Sequence, residues 1–189
     1  MNKHFLTSAL LIGAVALSPA WSYAQGFSSH HTTRKNAAGG VTSSTTQGVQ
    51  GPNGGAAVRG QGVVSDGQGN AAGGSAGAFK TPGGAKGGRA SSFTRSSDGS
   101  ANYHSGGAVS GARGHASTSS SFSKDGQGNA SGSRSTNATG SSGATYQGST
   151  TYESGSGVSH SGTCTNASGE SVPCSRYAAT PDCIRATAA

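Results

Sequence analysis

Leucine, methionine and tryptophan are missing from most of this chain. All four leucines (Leu6, Leu10, Leu11 and Leu17), the single Met and the single Trp (Trp21) lie before residue 25. The 165 residues from Gln25 onward hold one Ile (Ile184), eight Val, four Phe and four Tyr. A globular domain of that length buries large aliphatic side chains through most of its interior. Seventeen sizeable apolar side chains cannot fill such a core, which argues against a conventional enzyme domain, a helical bundle or a Rossmann sheet. Carboxylates are scarce as well. The six Asp and Glu are spread along the chain and offer no evident pair for glycosidase chemistry. The helix formers Leu, Glu and Met are nearly absent after the N-terminus, and no window carries apolar residues at helical spacing, so helix is not expected there.

The apolar N-terminus reads as a secretory signal. Lys3 and His4 form a short basic region, Phe5 to Leu17 an apolar run, and Ser18-Pro19 breaks it. Ser22-Tyr23-Ala24 then places small residues at the −3 and −1 positions of a cleavage site, leaving Gln25 first. The run of 13 residues falls short of the roughly 20 that span a bilayer, so no transmembrane segment is expected after signal removal. The style of the signal is bacterial, and the expected location is secreted: periplasm, cell surface or extracellular.

Without Lys3, 12 Lys and Arg stand against 6 Asp and Glu, a net charge of +6. The cations are dispersed, with Arg34-Lys35 the only adjacent pair. Such a charge favours solubility and weak attraction to anionic surface polymers. It forms no concentrated patch, and no recognition helix or RNP-like motif accompanies it, so specific nucleic-acid binding is not expected. The three cysteines (Cys164, Cys174 and Cys183) should be oxidised in an exported protein. Cys164 and Cys174 flank the turn signal Asn166-Ala167-Ser168-Gly169, which favours a hairpin clipped by a disulfide; Cys174–Cys183 is the competing pair.

Glycine is what the chain has in quantity, 34 in all. Turn signals recur with a period near thirty. Pro52-Asn53-Gly54, Pro82-Gly83-Gly84, Ala112-Arg113-Gly114 and Ser141-Ser142-Gly143 start 30, 30 and 29 residues apart. Between them fall Asp66-Gly67, Asp98-Gly99, Asp125-Gly126 and Ser154-Gly155, spaced 32, 27 and 29. Larger side chains keep the same period: Val64, Phe93, Phe122 and Tyr152 in one column, Val49, Phe79, Val109 and Ala138 in another. Self-similarity of this length marks stacked arrays. The stretches between turns are rich in Ser, Thr, Ala, Gly and aromatics. In one of them Tyr146 and Tyr152 share a two-residue alternation with Gly148 and Thr150, as in a strand.

The expected fold is therefore all-β: a Gly/Ser-rich array of about four 30-residue units, each a β-hairpin, hairpin-like or solenoid-like in its stacking. The alternative is a largely disordered chain, because Gly/Ser-rich sequence with few apolar groups offsets little conformational entropy. The expected divisions are a signal peptide (1–24), a flexible segment (25–40), the β-repeat region (41–160) and a Cys-containing C-terminal segment (161–189). Phe79, Phe93, Phe122, Tyr146 and Tyr152 are the expected stacking residues. Gly54, Gly67, Gly83, Gly99 and Gly126 are expected to hold turns, since Gly accepts positive φ.

No motif points to catalysis, a cofactor or a metal. The hexapeptide Asp66 to Ala71 recurs at Asp125 to Ala130, with one Asp where calcium loops need several carboxylates. His30-His31 has no third ligand near it in sequence. The glycine patterns do not join a strand to a helix, and no Gly-x-Ser-x-Gly elbow sits between a buried strand and a helix. Gly67-Gln68-Gly69-Asn70-Ala71-Ala72, and all but the last position of its copy Gly126 to Ser131, resemble the heart of curlin repeats. The flanking Ser and Gln of that motif are absent, and the period is longer. The resemblance implies β-strands that stack and polymerise into extracellular fibres. More broadly the chain resembles exported Gly/Ser-rich repeat proteins of bacteria.

The function expected from sequence is a secreted, non-enzymatic structural or surface protein, self-assembling through its strands. The other readings are a cationic module for polysaccharide or anionic envelope polymers, or a disordered secreted polypeptide.

Overall fold

The computed structural model describes residues 26–174. Over that span the chain forms eleven strands and no α-helix: β1 (Gly26–Lys35), β2 (Val41–Gln50), β3 (Ala56–Ser65), β4 (Ala71–Lys80), β5 (Lys86–Arg95), β6 (Ala101–Gly111), β7 (Gly114–Lys124), β8 (Ala130–Gly140), β9 (Thr145–Glu153), β10 (Gly157–Thr165) and the short β11 (Ser171–Val172). They lie in one sheet in chain order, each antiparallel to the next. The array is an open meander of hairpins, all-β and repeated, and not a coiled solenoid. Segment 25–40, expected to be flexible, carries β1. Its Ser, Thr and His side chains pair along the Thr- and Ser-rich β2 over ten residues.

Loop geometry sets the period. Eight of the connections close the same way, residue 1 donating its amide to the carbonyl of residue 5, as in Asn36 to Gly40 (3.0 Å), Thr81 to Ala85 (2.8 Å) and Gly140 to Ala144 (2.8 Å). The fourth residue of each is a glycine with positive φ: Gly39, Gly54, Gly69, Gly84, Gly99, Gly128, Gly143 and Gly169. In most of them this glycine also donates to the carbonyl of residue 1, giving a tight turn followed by a left-handed residue. That geometry matches the twist of the flanking strands. Ten strand residues and five loop residues make a 15-residue unit, and two units make the thirty-residue hairpin period.

Polar side chains fill the loops' remaining hydrogen-bond needs. Asp125 Oδ1 accepts the amides of Gln127 (2.9 Å) and Asn129 (2.9 Å), and its Oδ2 accepts from Asn129 Nδ2 (2.7 Å). Asp66 does the same for Gln68 and Asn70. Asn36 and Asn166 use their amide oxygens on the equivalent pairs of amides.

Single-layer construction leaves almost no interior. Ala72 and Cys164 are the buried apolar residues among those described. Stability must come from the hydrogen-bond ladder and from cross-strand side-chain pairs, the ordinary unit of sheet stabilisation. Serine rungs illustrate it on β7 and β8: Ser119–Ser135 at 2.9 Å, Ser121–Ser133 at 3.0 Å and Ser123–Ser131 at 3.0 Å. At the far edge Cys164 and Cys174 form a disulfide, Cα atoms 5.2 Å apart, which fastens β11 to β10. A disulfide marks an oxidising, non-cytoplasmic environment. Cys183 lies outside the described residues.

Candidate functional site

The register decides which side chains share a face, because paired residues project on the same side and neighbours along a strand on opposite sides. Followed from strand to strand, one row reads Thr33, Ser43, Val63, Gly73, Phe93, Tyr103, Phe122, Gly132, Tyr152, Val158. Six residues along the strand, and so on the same face, a second row reads Phe27, Val49, Ala57, Phe79, Gly87, Val109, Ala116, Ala138, Tyr146, Cys164. Every large apolar side chain that is strongly exposed lies on this face, in these two rows or, for Val41, in the row beside the first.

Aromatic rings lie down on glycines. A Cβ on Gly73 would meet Phe93 Cε1 at 2.7 Å, one on Gly87 would meet Phe79 Cε1 at 2.8 Å, and one on Gly132 would meet Phe122 Cδ2 at 3.2 Å. Tyr146 covers Gly148 and Gly162 in the same way and brings its hydroxyl to 3.5 Å from His160 Nε2. The opposite ring atom of that histidine, Nδ1, lies 2.8 Å from Thr150 Oγ1. Glycine in a strand interior weakens it, and a ring laid over the bare backbone restores packing there. Phe79, Phe93, Tyr103, Phe122 and Tyr152 remain about two-fifths exposed. Phe79, Phe93 and Phe122 are thus covered by the backbone on one side, and all five rings keep open surface.

Cations share this face. Lys35, Arg95 and Lys124 stand in the row outside the first aromatic row; Arg134, Arg59 and Arg89 stand between the two aromatic rows. Arg134 Nε donates to Thr118 Oγ1 at 3.2 Å, and Arg59 reaches Gln61 Oε1 at 3.3 Å. Among the described residues no carboxylate projects there. Asp66, Asp98, Asp125 and Glu170 occupy loops, and Glu153 pairs with Ser131 and Gly157 on the opposite face. The three loop aspartates are held below their ordinary carboxyl range. The causes are the side chain of Asn70 for Asp66, that of Ser100 for Asp98 and that of Asn129 for Asp125, each assisted by backbone amides.

The other face is small and polar. Its β3–β6 part is mostly Gly and Ala, among them Gly60, Gly62, Gly74, Ala76, Ala90 and Gly106, and its β7–β10 part is mostly Ser and Thr. Arg34, Lys80 and Lys86 lie at its margins.

No family model, curated protein or solved structure matches the chain.

The expected stacking residues divide between the two rows. Phe93, Phe122 and Tyr152 stand in the first, Phe79 and Tyr146 in the second. Val64, expected to share the column of Phe93, pairs with Thr42 and Ala72 on the opposite face, and its neighbour Val63 takes the place. Tyr103, directly opposite both Phe93 and Phe122, and Phe27 in β1 also belong to the rows, beyond the residues expected from sequence. Mirror symmetry about the Asp98 loop would have found Tyr103, since a hairpin pairs residues equidistant from its turn.

Among the expected turn glycines, Gly54, Gly67 and Gly99 adopt positive φ. Gly83 and Gly126 sit in loops, but the left-handed residues are Gly84 and Gly128, because loop closure fixes the fourth position. His30 and His31 fall on opposite faces, as neighbours in a strand must. Among the described residues, no three His, Cys, Asp or Glu come together as a metal site, and no helix is long and apolar enough to cross a membrane.

Proposed function

We propose that the chain is a secreted, non-enzymatic structural protein of a bacterial envelope or extracellular matrix, whose sheets join edge to edge. The observation that carries the reading is the pair of open edges. Among the described strands β1 is bonded on one side only, along ten exposed residues. β10 is covered by β11 at Cys164 and Thr165 alone, which leaves Gly157–Thr163 open among the described strands. Unpaired strand edges are templates for another chain. Chain direction reverses at every strand, so β1 and β10 run in opposite directions. The β10 of one copy can therefore accept the β1 of the next and continue the same antiparallel meander. Such a contact is head-to-tail and does not close, and it generates filaments. The resemblance of the two Gly-Gln-Gly-Asn turns to curlin repeats points the same way, and the disulfide and the N-terminal signal support export.

The test is far-UV circular dichroism and electron microscopy of the oxidised chain from Gln25, followed over days at two concentrations. A β spectrum with fibres that grow faster at the higher concentration is expected. Of Thr32 and Thr33, one directs its amide toward β2 and the other outward. Proline at the outward position should stop growth and preserve the monomer spectrum. A coil spectrum that never changes, or a chain that sediments as a monomer throughout, would overturn the reading.

A further inference from the structure

Edge-to-edge joining uses the strand edges and leaves the aromatic and cationic face open in every copy. We propose that this face binds an acidic polysaccharide, sugar rings lying on the row Phe93–Tyr103–Phe122–Tyr152 and their carboxylates meeting the flanking cations. The inference goes beyond filament formation and does not depend on it.

Row length and ring posture both suit a sugar chain. Phe93, Tyr103 and Phe122 occupy three consecutive strands, and Tyr152 follows after Gly132. With strands about 4.8 Å apart, the row from β5 to β9 is roughly 19 Å long, enough for several sugar rings. Because the rings of Phe93 and Phe122 rest on Gly73 and Gly132, their outer faces are presented to solvent. Such faces suit the C–H-rich faces of pyranose rings, an apolar surface edged with polar groups.

Charge selects the kind of polymer. Arg95 and Lys124 border the row on one side and Arg134 on the other, each two residues along its strand from the aromatic row or its glycine. That separation is about 6.7 Å, within reach of a carboxylate on a sugar lying over the rings. No described carboxylate on the face competes. A second copy of the same face would set six cations against six, which like-charge repulsion disfavours. Duplex nucleic acid carries a phosphate charge about every 1.7 Å, far denser than three cations along this row can match. A polymer with at most one carboxylate per sugar has the spacing that fits.

The experiment is affinity electrophoresis of the oxidised chain from Gln25 through gels containing polygalacturonate, fully methyl-esterified polygalacturonate or duplex DNA. Retardation by polygalacturonate, much less by its neutral ester and by DNA, is expected. The triple variant Arg95→Gln, Lys124→Gln, Arg134→Gln should lose about tenfold or more in affinity, each contact contributing a few-fold. The control triple Arg34→Gln, Lys80→Gln, Lys86→Gln removes the same charge from the opposite face and should lose less than about twofold. The pair Tyr103→Ala, Tyr152→Ala tests the rings, and the charge variants keep the test valid if that pair unfolds. Equal losses in the two charge triples would mean that net charge alone attracts the polymer, and the proposal falls. It falls too if polygalacturonate gives no retardation, if DNA binds more tightly, or if the chain proves to be a dimer that Tyr103→Ala dissolves. A chain that stays monomeric yet binds polygalacturonate would sink the filament reading and leave this one standing.

Discussion

Phe122 and Tyr152 stack across an intervening strand. Their ring centroids are 6.5 Å apart with planes 19° from parallel, and the residue between them in the register is Gly132 on β8. The missing side chain lets two rings from strands two apart approach each other. A Cβ on Gly132 would come within 3.0 Å of Ser121 O and 3.2 Å of Phe122 Cδ2. Glycine here is part of the aromatic surface.

Glycines under rings and glycines in open strand should therefore respond oppositely to alanine. Gly73→Ala meets both Gly62 O at 2.6 Å and Phe93 Cε1 at 2.7 Å, so the ring must lift, with a loss of about 1–3 kcal/mol. Gly60→Ala meets only Thr45 O at 4.0 Å and should stabilise by about 0.4–1 kcal/mol through the unfolded chain. Thermal melts of the two variants, with near-ultraviolet dichroism for the ring, check both signs.

Two adjacent glycines in one loop make a sharper pair. Gly84 has φ +83° and Gly83 is not left-handed. Gly84→Ala should cost about 1–2 kcal/mol because an L side chain resists that region. Gly83→Ala should be close to neutral, its nearest neighbour being Thr81 Oγ1 at 4.0 Å. Equal effects on the melting temperature would contradict the loop geometry.

Acid should loosen the loops at one end of the sheet. Hydrogen bonds to the ionised forms of Asp66, Asp98 and Asp125 hold their carboxyls below the ordinary value of 3.8. A folded pKa below the unfolded one contributes stability that is fully present above 3.8 and is lost as pH falls through the folded value. Carboxyl chemical shifts titrated downward from pH 5 should show the three midpoints below 3.8, with stability declining over the same interval. Asp125→Asn keeps an oxygen acceptor, as Asn36 and Asn166 do at the same loop position, and should retain the turn with a weaker acid response. Asp125→Ala should lose it.

Reduction of Cys164–Cys174 should release β11 from β10. The stub holds only two paired positions, Cys164 with Val172 and Thr165 with Ser171, and cannot persist without the clip. Amide exchange at Thr163–Thr165 should accelerate, and assembly from the bared β10 edge should quicken. Unchanged exchange after reduction would show that the pairing stands by itself.

Strand class, the hairpin period and the Cys164–Cys174 pairing could all be read from residues alone, because turn chemistry and alternation are local. Face assignment could not. Val63 and Val64 are adjacent and equally apolar, and only the pairing with Ser43 and Gly73 puts Val63 beside the rings. The strict spacing of fifteen from Gly39 through Gly54, Gly69, Gly84 and Gly99 is present in the sequence, but the Asp-Gly pairs do not keep it. Asp66-Gly67 and Asp125-Gly126 open their loops, whereas Asp98-Gly99 stands at the third and fourth positions. That displacement produced the uneven spacings of 32 and 27. The cations on the aromatic face looked dispersed along the chain because the meander folds distant positions into neighbouring rows.

Fixed loop spacing also makes the width of the sheet an adjustable quantity. Each strand hydrogen-bonds only to its neighbours in the register, as in other quasi-one-dimensional arrays. Excising thirty residues from one loop glycine to the next but one, Gly69 to Gly99 for example, would rejoin strands of matching direction and matching face. The sheet would narrow by about 9.6 Å with every remaining pair unchanged. Duplication of the same stretch would widen it by as much. A chain built this way can change in length by whole hairpins, and every such length keeps the same turns, register and faces.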